Sequence, residues 1–187
     1  MTFYLLRHGA TKGNLERRYV GRTDEPLLPE AASELWEIVA PPVARVYASP
    51  LVRAVETARI LWPSVPLEEV DGFRECDFGR FEYLRYEDLK DDPRYRAWLE
   101  SGGMTGFPGG EARAEFCDRV VAAFDRVAEE AEKFPGDVGL VAHGGTLMAI
   151  LEARAHPKRD FYAWQVENAR GFRAKWQKGT LHTISFP

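Results

Sequence analysis

The chain has only two cysteines in 187 residues, Cys76 and Cys117, and they stand far apart. Neither a zinc spacing nor a redox pair can be built from them. Cys117 falls on an apolar helical face, so core packing is its expected role. No His-Glu-x-x-His, paired Asp cluster or Cys/His array occurs, so neither a metal nor another cofactor is expected. Gly-Lys-Ser/Thr is missing, which excludes a Walker-type phosphate loop. Gly-x-Ser-x-Gly is missing too, and with it the serine elbow of many hydrolases. No block of Lys and Arg stands out against a net charge of −4, so no nucleic-acid partner is expected. No apolar run reaches the roughly 18–20 residues of a membrane span, and no charged-then-apolar leader is visible. No membrane partner and a cytoplasmic location are therefore the expectations, with a monomer or homodimer left open.

What is present fits one soluble domain over residues 1–187, with length enough for a real core. Residues 3–6 read as a strand, 29–40 as a helix, and 45–48 as a strand. Ser49-Pro50 looks like an N-cap followed by proline at the first helical position, opening a helix to about Trp62. Residues 65–70 suggest an edge strand. The longest helical pattern runs over 111–134, followed by a strand at 138–142 and a helix at 146–155. The tail alternates in three stretches: Trp164, Val166, Asn168; then Phe172, Ala174, Trp176; then His182, Ile184, Phe186. Two or three strands are expected there, with turns at Arg170-Gly171 and Lys178-Gly179. Strands alternating with helices imply an α/β/α sandwich with a mostly parallel sheet. Residues 78–110 differ, being rich in aromatics and ending in a Gly/Pro stretch. They are expected to form a cap-like excursion over the sheet. Its rings could stack on a flat or apolar ligand or pack against the sheet.

Two strands end in the same way. Leu5-Leu6 leads into Arg7-His8-Gly9, and Val141-Ala142 leads into His143-Gly144-Gly145. In parallel sheets the ligand crevice lies off the carboxyl ends of the strands, so His8 and His143 should meet there. Histidine can act as a nucleophile, and Arg7 offers a planar fork of donors suited to phosphate. The glycines after His143 leave backbone N–H groups bare at a helix N-terminus, an anion site. Arg53, in the first turn of its helix, opposes the helix dipole. Surface solvation and function both remain open for it on these grounds. Glu75 precedes Asp77-Phe78-Gly79, with Glu82 nearby. One such carboxylate could protonate a leaving oxygen. Asn14 could cap a helix at 15–19, contact phosphate, or do both.

In order along the chain, these motifs resemble those of the histidine phosphatase superfamily, the group that includes cofactor-dependent phosphoglycerate mutases. They are Leu6-Arg7-His8-Gly9-x-Thr11-x-x-Asn14, Gly21-x-x-Asp24-x-Pro26-Leu27, Ser49-Pro50-Leu51-x-Arg53-Ala54-x-x-Thr57-Ala58, Arg74-Glu75-x-Asp77-Phe78-Gly79-x-Phe81-Glu82, and His143-Gly144-Gly145. The resemblance implies a phosphoglycerate mutase-like fold. It implies His8 as nucleophile, Glu75 as proton donor, and Arg7, Arg53 and His143 around the phosphoryl oxygens. Asn14 and the Gly144 amide would be further phosphate contacts. The expected substrate is a small phosphorylated metabolite. The Phe107-Pro108-Gly109-Gly110-Glu111 stretch looks most like alpha-ribazole phosphatases and broad-specificity relatives. A phosphoglycerate mutase is the alternative enzyme, and a non-catalytic phosphate-binding module the alternative class. Three departures blur the substrate: Leu28-Pro29-Glu30-Ala31 replaces a Thr-x-x-Gly turn, Phe81-Glu82-Tyr83 a Trp-Glu-Gly loop, and Ala112 a frequent Ser.

Overall fold

The structure, a computed structural model, describes residues 1–185. Its strands are β1 (Thr2–Arg7), β2 (Arg45–Ala48), β3 (Leu67–Glu69), β4 (Val138–Ala142), β5 (Ala155–His156), β6 (Gly171–Gln177) and β7 (Thr180–Ser185). They form one sheet in the order β3-β2-β4-β1-β6-β7-β5. The run β3-β2-β4-β1 is parallel, while β6 is antiparallel to both β1 and β7. The helices are α1 (Lys12–Leu15), α2 (Pro29–Trp36), α3 (Val52–Leu61), α4 (Tyr86–Leu89), α5 (Pro93–Glu100), α6 (Arg113–Ala131) and α7 (Gly144–Arg154).

Side chains alternate across a strand, and here both faces are covered. Leu6, Val46, Ala48 and Val141 pack with Ala54, Ala58 and Trp62, from α3 and the residue just after it. Phe3, Leu5, Tyr47, Leu140 and Ala142 belong to the opposite cluster, with Phe116, Val120 and Phe124 of α6 and Leu147 and Ile150 of α7. The result is the mixed α/β sandwich with a mostly parallel sheet that the alternation of elements predicts. Among the described residues no helix is long and apolar enough to cross a membrane.

Several local expectations need correction. The helix from Pro29 stops at Trp36 rather than at residue 40. Only Ala31 and Leu35 of α2 are buried, whereas Trp36 and Val39 are 65% and 95% exposed. Pro41 also disfavours helix in the residue before it. The edge strand shrinks to Leu67–Glu69. Thr11, not Asn14, caps α1, and Asn14 completes a capping box from the N3 position. Leu51, not Ser49, is the N-cap of α3, and the Ser49 hydroxyl accepts from Leu51 N at 3.4 Å while meeting His143 Nε2 at 2.7 Å. The α7 helix starts at Gly144, directly after His143. No strand forms over Trp164–Asn168: Phe161–Trp164 is a 3-10 turn, and the chain turns at Asn168-Ala169. The hairpin between β6 and β7 turns at Lys178-Gly179, both at positive φ, as a two-residue turn of this type requires. Cys117 is half-buried at the margin of the core. Phe186 lies outside the described residues.

Candidate active site

The parallel strands place the site. β4 lies between β1 and β2, with Arg7 opposite Ala142 and Ala48 opposite Val141. The residues that leave these strands, His8, His143 and Ser49, therefore gather at one edge. His8 N–H continues the ladder by donating to Ala142 O at 3.0 Å, and Ser49 N–H donates to Val141 O at 3.0 Å. The two histidine rings sit 5.1 Å apart and are 3% and 1% exposed.

His8 is held on both ring nitrogens. Its Nδ1 lies 2.6 Å from Gly9 O, and Arg53 Nε donates to its Nε2 at 3.3 Å. A carbonyl only accepts and a guanidinium only donates. These partners assign the proton to Nδ1 and leave the lone pair on Nε2. Burial, reinforced by the Arg53 charge, holds the His8 pKa well below its ordinary value. The neutral form is thus favoured. Burial and the same arginine also depress His143. Its Nε2 meets Ser49 Oγ at 2.7 Å, while its Nδ1 is buried with no partner.

Arg53 is fully buried, which answers the ambiguity left by its position on α3. Its NH1 donates to Thr23 O at 2.7 Å and its NH2 to Gly21 O at 2.9 Å. The loop carrying those carbonyls is itself clamped, since Glu82 Oε1 accepts from Gly21 N, Thr23 N and Thr23 Oγ1. Arg7 NH1 donates to Val166 O at 2.8 Å, and Arg7 Nε is a second buried donor without a partner. Arg7 Nε and His143 Nδ1 are costly to bury unpaired, unless a bound anion supplies the acceptor.

Glu75 lies in the loop between two 3-10 turns, Asp71–Phe73 and Gly79–Phe81. Cys76 N donates to its Oε1 and Gly145 N to its Oε2, both at 3.0 Å. A Cβ at Gly145 would overlap Glu75 Oε1, so the second glycine after His143 is what lets the carboxyl approach. Burial raises the Glu75 pKa, against the pull of those two amides and of Arg53 and Arg7. The carboxyl is biased toward its protonated, proton-donating form.

Arg7, Asn14, Glu75 and Gly144 line a cavity of about 360 Å³. His8 and His143, at strand ends, and Arg53, on α3, are buried and do not line it. Its wall comes from the excursion and from α7 and the segment after it, with Phe78, Trp98, Phe107, Phe161 and Tyr162 among the lining residues. Phe81 and Tyr95 of the excursion are instead 1% exposed and packed in the core. Different rings of the excursion thus line the cavity and pack inward.

A family model described as the histidine phosphatase superfamily, branch 1, matches residues 3–185. The chain belongs to that superfamily. Among curated relatives, a probable phosphoglycerate mutase GpmB from Salmonella typhi is 32% identical over 128 residues. That match covers 64% of this chain and 60% of the relative's length. The crystal structure of a phosphoglycerate mutase from Thermus thermophilus is 30% identical, with all of both chains covered and a TM-score of 0.73. The alpha-ribazole phosphatase from Shigella flexneri is closer in shape at TM-score 0.89, covering 99% of this chain and 95% of its own. At 21% identity that likeness concerns the fold.

Two residues of this histidine phosphatase domain escaped the sequence reading as site members. Asn168 Nδ2 donates to His8 O at 3.1 Å and to Asn14 Oδ1 at 3.0 Å. Because Asn14 Oδ1 also accepts from Thr11 N, the Asn14 amide NH2 is the end left to donate elsewhere. Asn168 sat in an apparent strand alternation, and nothing local marked it. Thr57 did carry a signal, its spacing four residues after Arg53 on one helix face. Its hydroxyl donates to Arg53 O at 2.7 Å and accepts from Gly9 N at 3.0 Å, tying α3 to the His8 loop.

Proposed function

We propose that this chain is a phosphomonoester hydrolase working through a phosphohistidine on His8, with a small phosphorylated metabolite as substrate. The observation that carries the reading is the pair of partners on the His8 ring, which present Nε2 with its lone pair beside Arg53. In the first step Nε2 attacks phosphorus, the N–P bond forms and the bond to the leaving oxygen breaks. Glu75 gives its proton to that oxygen, so a neutral alcohol departs. Arg7 and Arg53 spread positive charge around the phosphoryl oxygens as the group transfers in line, and the neutral His143 ring adds a hydrogen bond through Nδ1–H. Asn14 and the Gly144 amide add donors at the rim. In the second step Glu75, now a carboxylate, takes a proton from water as the water attacks phosphorus. Inorganic phosphate leaves, and His8 and Glu75 return to their starting states.

Alpha-ribazole 5′-phosphate is the first substrate to try, on the resemblance of the Phe107–Glu111 stretch. The second reading is isomerisation of 3-phosphoglycerate, favoured by the names of the relatives at 30–32% identity. A phosphate-binding module without turnover is disfavoured by a nucleophile and an acid kept together. Rapid quench with a labelled phosphomonoester should trap acid-labile label on His8, and phosphate release should exceed isomerisation. Steady turnover with no covalent label would overturn the reading.

A further inference from the structure

The cavity walls say more about the leaving group than the strand ends do. Rings of Tyr19, Phe78, Trp98, Phe107, Phe161 and Tyr162 line it. Three arginines also reach it: Arg7, Arg18 and Arg113. Two of them are already answered by the protein. Arg113 NH2 donates to Glu152 Oε1 at 2.9 Å, and its guanidinium lies 4.3 Å from the Phe161 ring centre. Arg18 donates to Glu16 Oε2 at 2.5 Å and to Tyr83 O at 2.8 Å, and lies 4.8 Å from the Tyr83 ring centre. Arg7 is the third, and on the hydrolase reading its charge serves the phosphate.

A second anionic group on the substrate would therefore meet arginines already paired to carboxylates and ring faces that carry negative potential. A flat uncharged group would meet rings it can stack on and would lose water favourably. We infer that the site selects phosphomonoesters whose leaving alcohol carries a flat, uncharged, apolar group, and rejects those with a carboxylate beside the ester. The inference rests on the hydrolase reading above and names the substrate class for that same site.

The test compares alkyl esters, whose leaving groups have similar basicity, so that chemistry does not mask binding. On the full chain, kcat/KM is measured for 2-naphthylmethyl phosphate, ethyl phosphate and 3-phosphoglycerate. The naphthylmethyl ester should exceed ethyl phosphate by about tenfold and 3-phosphoglycerate by about 100-fold. Trp98→Ala should lower the naphthylmethyl-to-ethyl ratio about fivefold, chiefly through KM. Trp98→Leu serves if the alanine variant does not fold. Glu152→Gln should free Arg113 and raise kcat/KM for 3-phosphoglycerate severalfold. Equal kcat/KM for all three esters, a preference for 3-phosphoglycerate, an unmoved ratio in the Trp98 variants, or no gain in Glu152→Gln would each overturn the selectivity. Label trapped on His8 from p-nitrophenyl phosphate separates the two claims. If it forms while selectivity fails, the hydrolase reading stands alone; if it never forms, that reading falls first.

Discussion

The strand-end site and the aromatic excursion are held together by different forces. At the strand ends the side chains are locked onto main chain: His8 onto Gly9 O, Arg53 onto Gly21 O and Thr23 O, Arg7 onto Val166 O, Glu75 onto two amides. In the excursion the rings and surface charges also hold one another, side chain to side chain. Tyr95 stacks on Trp98 at 5.7 Å, Phe78 meets Phe107 edge-on at 5.0 Å, and Asp91–Arg96 and Asp92–Arg94 are exposed pairs. Main-chain partners survive substitution of the residues that carry them, whereas ring contacts do not. On the proposed function, the difference separates what must stay constant, the handling of phosphate, from what can be retuned, the fit of the alcohol.

This comparison can be broken or sharpened by substitution. The largest effect belongs to His8→Ala, which should lower turnover on the order of 10⁴-fold or more and remove the covalent label. Glu75→Gln comes next, at about 10²–10⁴-fold on alkyl esters. The loss should be far smaller on p-nitrophenyl phosphate, whose leaving group needs no proton. The pH dependence carries the same signature. Glu75 is raised above its ordinary 4.5, so activity should fall as pH rises through that elevated value and the acid is lost. His8 is depressed well below 6.5, so activity should fall on the acid side only well under that pH. In Glu75→Gln the basic limb should vanish; a limb that persists assigns it to another group.

Asn168→Ala should cost between about 10- and 100-fold in kcat, through misorientation of the His8 loop and Asn14. Its diagnostic is the imidazole ¹⁵N spectrum, where the single Nδ1-protonated form of His8 should give way to a mixture. An unchanged spectrum with slow turnover would reduce Asn168 to a structural tie. At the small end, Asp91→Ala should leave Tm and kcat/KM unmoved, since an exposed pair contributes little. A clear loss there would mean that the excursion is braced by its charges.

Where two signals agreed, the sequence was easy to read. His8 and His143 each followed an apolar run and preceded glycine, and a parallel sheet has only one crevice for them. Leu5-Leu6 and Val138–Ala142 could be assigned because buried strands are apolar throughout. Arg53 was ambiguous because its partners are carbonyls, which any sequence supplies. Ser49 was misread because a hydroxyl before proline resembles a cap whether or not a histidine claims it. Trp164, Val166 and Asn168 alternate like a strand, yet Phe161 and Trp164 pack inward from a 3-10 turn while Asn168 turns to His8. Periodicity does not distinguish those cases without the partner in view.

The bonds from Arg7 to Val166 and from Asn168 to His8 span 159 and 160 residues of chain. Loop-closure entropy makes such distant contacts late events in folding. During synthesis, residues 7 and 8 emerge long before the segment that orients them. The proposed nucleophile is thus the first part of the centre to be made and among the last to be aligned. Reactivity arrives with completion of the fold, and a partly folded chain carries the histidine without its geometry.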